Sequence, residues 1–348
     1  MYVSFDDGDH WQPLRLNLPA TSIRDLIVKG DDLAIATHGR GFWILDDLSP
    51  LRQVSDGLLR EGAHLFRPQT ATRVRWNLNT DTPLPPDEPA GENPPDGAIL
   101  HYWLGAPAEV TVEILDASGE AVRRFSSRDE APAPGDEGNV PHWWIRPVRV
   151  PPGTAGLHRF VWDLHWPAPP VEDAGYPIAA VPGNTPKEPR GPWVLPGKYA
   201  VRLTAGGETL TQPLTVAMDP RIRTPAAGLQ QQFALSMRVA DALRADHDAL
   251  VALRALRRRL EGRAPELQAK LAALEGSEEK DAWRGRGERP PTLVRSSARL
   301  SDLLHKAQSA DVAPTPALAE AAESSIAETT QLVSRWKQLE TEGTARPQ

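Results

Sequence analysis

The sequence predicts a multidomain β-plus-α chain: partial β-propeller blades, then an antiparallel β-sandwich, then an antiparallel helical bundle. Three observations carry that prediction. Short strand-like runs broken by Gly and Asp turns fill residues 1–50, alternating runs recur over 97–220, and Leu and Ala repeat at helical spacing over 224–342. At 348 residues the chain is long enough to bury a separate core in each part.

The N-terminal part opens on Ser4-Phe5-Asp6-Asp7-Gly8-Asp9-His10-Trp11, which fills every fixed position of the pattern S-x-D-x-G-x-x-W. Asp6 suits the turn because its carboxylate accepts backbone N–H groups of its own loop, and Gly8 because it tolerates a positive φ. Trp11 is expected to drop its ring between sheet layers. The pattern implies a strand on either side. Ile23–Val28, Leu33–Thr37 and Gly41–Leu45 read as further strands, turned by Gly30-Asp31-Asp32 and by His38-Gly39-Arg40. At four strands per blade these make roughly one and a half blades, and known propellers close with at least ~4. The missing blades are therefore expected from upstream in the same gene or from a separate chain. Without them, apolar faces at residues such as Ile27, Ile35 and Ile44 are expected to leave residues 2–47 unstable or self-associating.

Residues 51–96 read as a connection, with one strand around Ala63–Phe66 and an acidic, proline-rich linker over Asp81–Asp96. From Gly97 the strands lengthen. Ala98–Leu104 is one, and Val110–Leu115 turns through Asp116–Gly119 into Ala121–Phe125. Gly156–Leu164, Gly197–Leu203 and Gln212–Val216 follow, the last two joined by a turn at Ala205–Glu208. Such spacing indicates an antiparallel sandwich, with Pro167–Pro196 as an insertion loop. After Asp219-Pro220 the composition becomes rich in Ala, Leu, Arg and Glu. A helix is expected after Pro225, a shorter one over Pro265–Leu274, and two more after Pro290-Pro291 and Pro316. The charged Gly276–Glu288 stretch is expected to be a mobile loop.

Bulk properties narrow the function classes. The net charge of −7 argues against nucleic acid as a partner, because phosphate binding needs a concentrated basic face. Zero cysteines remove disulfides and thiolate chemistry. No apolar run approaches the ~20 residues that a membrane span needs, and the first residues lack the pattern of a signal peptide. The compartment stays open. No spacing calls for a cofactor or a metal.

The candidate site residues fall into three groups. Ser4, Asp6, Gly8 and Trp11 form the structural turn, whose Asp-rich loop turn chemistry alone explains. His38 and Arg40 are the ligand-facing candidates, because a Gly-flanked turn presents an imidazole and a guanidinium to an anionic or sugar ligand. The alternative is that they bond nearby carbonyls or Asp46 and Asp47. Trp143, Trp144 and Trp166 are candidate sugar-stacking rings, whereas Trp162 on its alternating strand reads as core. Arg254–Arg259 reads as a solvated helix face. No catalytic residue is assigned.

The Asp6 turn, with Thr37-His38-Gly39-Arg40-Gly41-Phe42-Trp43-Ile44-Leu45-Asp46-Asp47, resembles the last blades of a bacterial family. These are the Asp-box (BNR-repeat), sortilin-like propeller proteins described as glycosyl hydrolases. The second part resembles a FlgD-like, immunoglobulin-like module in its Val112–Asp116 hairpin, Trp162-Asp163 and Pro196-Gly197-Lys198-Tyr199. The resemblance implies a propeller, an immunoglobulin-like module and a helical tail in that order. It implies glycoside hydrolysis for the full-length parent and a secreted or periplasmic location. Sialidase-like propellers use an arginine triad and a tyrosine, but only Tyr2 lies near these blades. The chain is thus expected to be a non-catalytic C-terminal region. The alternative is a scaffold that binds a peptide or glycan ligand without hydrolysing it.

Overall fold

The computed structural model describes residues 1–55, 57–75, 91, 94–131, 133, 140–172, 174–177, 183–276 and 290–344. Most of the proline-rich linker expected over 81–96 and of the loop expected over 276–288 lies outside them. The described residues form a β-plus-α molecule of several sheets and four helices.

At the N-terminus β1 (Tyr2–Val3) pairs antiparallel with β2 (Gln12–Pro13), with the Ser4–Trp11 loop between them. A separate antiparallel meander follows, of β3 (Ile23–Lys29), β4 (Asp32–Thr37) and β5 (Phe42–Leu45). Register divides its side chains between two faces. Leu26, Ile35 and Trp43 align on one face with Val28, Leu33 and Leu45; Ile27, Ala34 and Ile44 align on the other with Ala36 and Phe42. The first face packs under Leu18 and Leu48. Ile35, expected to be exposed, is therefore buried, because Leu18 and Leu48 fold back over its side of the sheet.

The segment expected to be a connection supplies β6 (Ala63–Leu65) and β7 (Ala71–Arg73). Next come β8 (Ala98–Leu104), β9 (Val110–Leu115), β10 (Ala121–Ser126), β11 (Gly156–Trp162), β12 (Gly197–Ala205) and β13 (Glu208–Met218). These make a sheet in the order β11-β8-β6 and another in the order β10-β9-β12-β13-β7. All their pairings are antiparallel except β7 with β13. Alternation along β8 turns Ala98, Leu100, Tyr102 and Leu104 into a core shared with Val112, Ile114, Val201, Leu203, Leu214 and Val216 of the other sheet. Trp162 lies in that core, as its alternating strand implied, and its indole N–H donates to the His165 carbonyl at 3.1 Å. Gly97 is required where β8 begins. Its φ is +129°, and a Cβ there would meet the Trp162 carbonyl oxygen at 2.0 Å.

The helices are α1 (Ala226–Arg259), α2 (Pro265–Glu275), α3 (Leu293–Ala307) and α4 (Pro316–Thr344). Three start on a proline or directly after one, and its fixed φ and missing N–H suit a helix start. At α3 the Thr292 side chain accepts the Arg295 N–H instead. Their apolar stripes meet in two clusters, one around Leu250, Leu271 and Trp336, the other around Leu243, Leu300 and Ala322.

A buried ionic knot joins the helices to the sheets. Arg73 of β7 pairs with Asp311, in the turn between α3 and α4, and donates to the Val194 carbonyl at 2.8 Å. Arg75 grips the same carboxylate at 2.8 and 3.0 Å. The guanidinium carbons of Arg73, Arg75 and Arg190 lie 5.3, 5.3 and 5.6 Å from the centre of the Trp193 ring.

Candidate functional site

The Ser4–Trp11 loop is held by its own polar groups. Ser4 Oγ donates to Asp6 Oδ1 at 2.8 Å and accepts the Gly8 N–H at 2.8 Å. Asp6 Oδ1 accepts the His10 N–H at 2.9 Å, and Asp6 Oδ2 lies 2.6 Å from His10 Nδ1. Gly8 has φ +103°. Hydrogen bonds from the His10 backbone, the His10 ring and Ser4 hold the Asp6 carboxyl below its ordinary value. The hydroxyl, carboxylate and imidazole superficially resemble a nucleophilic relay. In such a relay the base must take the hydroxyl proton. Here Ser4 gives its proton to the carboxylate and the imidazole also faces the carboxylate, so the three groups clamp a turn.

Trp11 departs from its expected place between sheet layers. It is 62% exposed, because the two-residue strands β1 and β2 carry no second layer over the loop. With Met1, Tyr2, Ile23 and Leu26 it lines a shallow apolar depression.

His38 and Arg40 sit on the β4–β5 turn, where Gly39 and Gly41 have φ +75° and +70°. The backbone of the turn is tied down. His38 N–H donates to Ser22 O at 2.9 Å, and the Trp43 indole donates to Arg40 O at 2.9 Å. The His38 and Arg40 side chains are exposed, and neither engages Asp46 or Asp47. Those two acids are used elsewhere. Asp46 pairs with Arg159 of β11, while Asp47 Oδ2 lies 3.3 Å from His101 Nδ1 of β8. Arg159 and His101 are cross-strand partners, so two consecutive acids address two adjacent bases. Asp47 Oδ1 also accepts the Ser49 N–H at 3.0 Å and the Gln69 amide at 2.5 Å. Burial alone would raise the Asp47 carboxyl, but His101 and Ser49 outweigh it and hold the group at about 2.

The three candidate stacking rings do not form one platform of equivalent groups. Trp143 and Trp144 meet edge to face at 5.5 Å in the 3-10 turn His142–Trp144 and are half-buried. Trp166 packs on the two-sheet core and tilts against Phe233 of α1 at 6.3 Å. It bridges sheets and helix.

Sequence reasoning missed the Arg73–Asp311 knot and the Asp46–Arg159 pair, because their members lie 238 and 113 residues apart. It also missed Asp246 on α1, although an acid between Leu243 and Leu250 on an apolar stripe was a visible irregularity. Among the described residues no group of His, Asp and Glu side chains is placed to hold a metal ion, and no helix is long and apolar enough to cross a membrane. The chain matches no protein-family model, no curated protein and no solved structure.

Proposed function

We propose that this chain is the C-terminal accessory region of a glycosyl hydrolase-like Asp-box propeller protein and carries no catalytic centre of its own. One observation carries the reading: the β3-β4-β5 sheet is apolar on both faces, and only Leu33 and Ile35 at the centre of one face are buried, under Leu18 and Leu48. Ile27, Ile44 and Phe42 line the uncovered face, with Phe42 84% and Ile44 67% exposed. Propeller blades stack sheet on sheet, so an inner blade needs two apolar faces. The self-clamped Ser4–Trp11 turn is consistent with the same reading.

In this reading the two-sheet body is an immunoglobulin-like, FlgD-like sandwich and the helices are an antiparallel bundle. The missing blades come from upstream in the same gene or from a separate chain. Three acids near the blades are engaged by the fold: Asp6 by Ser4 and His10, Asp31 by Arg52, Asp46 by Arg159. Those three carboxylates are therefore not free to face a sugar, as the pair in glycoside hydrolysis must be.

A second reading is a sortilin-like scaffold that binds a peptide or glycan. The exposed side chains of His38 and Arg40 and the Trp143–Trp144 pair favour it. A glycan panel assayed with the full-length parent separates the two. Turnover abolished by substituting carboxylates upstream of this chain is the outcome expected of the first. Saturable glycan or peptide binding without turnover supports the second, and turnover by this chain alone overturns both.

A further inference from the structure

The three long helices change character at one level. On α1 the apolar stripe runs Leu243, Asp246, Leu250; on α3 Ser296 and Ser297 separate Val294 from Leu300; on α4 Ser325 and Thr329 separate Ala322 from Leu332. These polar residues divide the two apolar clusters of the helices from each other. Asp246 is 0% exposed, and neither of its carboxyl oxygens makes a hydrogen bond. The Ser325 hydroxyl is likewise buried and unbonded.

Proton counting defines the layer. Each hydroxyl has one proton to give. Thr329 Oγ1 donates to the Ser325 carbonyl at 2.8 Å and lies 2.6 Å from Ser296 Oγ. With the Thr329 proton used, Ser296 must donate to Thr329. Ser296 therefore turns only lone pairs toward any further partner. Those lone pairs suit a carboxylic acid O–H and repel a carboxylate.

We propose that Asp246, Ser296, Ser325 and Thr329 form a proton-controlled layer that couples the packing of α1, α3 and α4 to pH. With its proton, Asp246 carries no charge and the hydroxyl chain stays directed at the Ser325 carbonyl. When the proton passes to solvent, the carboxylate draws the hydroxyls round. Ser296 then turns its proton to Asp246, Thr329 turns its proton to Ser296, and the Ser325 carbonyl loses its side-chain donor. The charge left between two apolar clusters favours opening of α4.

Other titratable and charged groups flank the layer. Glu172, paired with Arg254, adds a negative field, and His247 on α1 has a buried Nδ1 without a hydrogen bond. Arg299 of α3 and Glu328 of α4 face each other at 4.0 Å at more exposed positions. Burial, with the Glu172 charge and against the Ser296 hydroxyl, pushes the Asp246 carboxyl up to about 7. The acid is then neutral in both folded and unfolded chains below about pH 4, and its cost to folding builds between about pH 4 and 7.

The test is urea unfolding of the full chain and of Asp246→Asn from pH 5 to pH 9, with amide exchange read on α4. Relative to the variant, the unfolding constant of the wild type is expected to rise roughly a hundredfold over that range. Protection factors around Ser325–Leu332, corrected for the intrinsic pH dependence of exchange, should fall only in the wild type. Parallel pH profiles for the two proteins would overturn the proposal. Should Asp246→Asn not fold, a carboxyl-carbon titration of Asp246 in the wild type decides instead. A midpoint near 7 supports the layer, and one below about 5 removes it.

Discussion

Single residues in this molecule divide into those held by their neighbours and those exposed to solvent. Asp311 is held most firmly, with Arg73 and Arg75 on its carboxylate and little solvent to screen them. Removing one partner from a buried pair strands the other charge, at a cost of about 3–5 kcal/mol. Asp311→Asn is therefore expected to lower the unfolding free energy by that amount in chemical denaturation, and a loss under 1 kcal/mol would contradict the knot. Asp47 makes a pH prediction of the opposite sign to that of Asp246. Its folded-state carboxyl is depressed to about 2, so the stability it contributes is present above about pH 4 and disappears as pH falls toward 2. Roughly 2 kcal/mol is at stake at pH 7, from 1.36 kcal/mol for each pKa unit. Thermal melts of Asp47→Asn should show that loss at neutral pH and none at pH 2.

At the scale of elements, the chain announces most of what it builds. The helix starts were legible because Pro225, Pro265 and Pro316 mark them and Leu follows at helical spacing. The strands of the two-sheet core were legible because burial on one face forces alternation, as in Ala98–Leu104. Of the two short strands before them, β6 was legible at Ala63–Phe66 and β7 escaped, since three residues are too few for alternation to register. The exposure of Trp11 was not legible either, because the motif specifies its own turn and says nothing of what lies above it. Where a face is left open, substitution should be cheap in stability and visible in association. Phe42→Thr with Ile44→Thr is expected to leave the melting temperature within a few degrees while reducing self-association in analytical ultracentrifugation. Unchanged association would mean that this face is not the adhesive one.

On the scale of the whole molecule, two sets of ionic contacts decide what moves with what. Asp46 and Asp47 fasten the N-terminal sheets to β11 and β8, and the Arg73–Asp311 knot fastens the helices to β7. Neither was readable from local pattern, because each joins segments far apart in sequence and carries no periodicity. Asp311→Asn should therefore do more than destabilise. The single transition expected for sheets and helices together should split in calorimetry, with the helices melting apart from the sheets. One sharp peak in the variant would show that the remaining contacts, Trp166 on Phe233, Gln308 with Trp193 and Arg254 with Glu172, suffice to couple them.

The same knot has a meaning in time. Arg73 and Asp311 are separated by 238 residues, which a ribosome adding ~5–20 residues per second takes roughly 10–50 s to make. Through that interval β7 lacks its acid, and for the first part of it also β13 (Glu208–Met218), its parallel neighbour. The guanidiniums of Arg73 and Arg75 must wait, without their carboxylate, for the last quarter of the protein to emerge. Nascent chains stalled before Asp311 should accordingly be cut by protease around Ala71–Arg75, and chains released whole should resist.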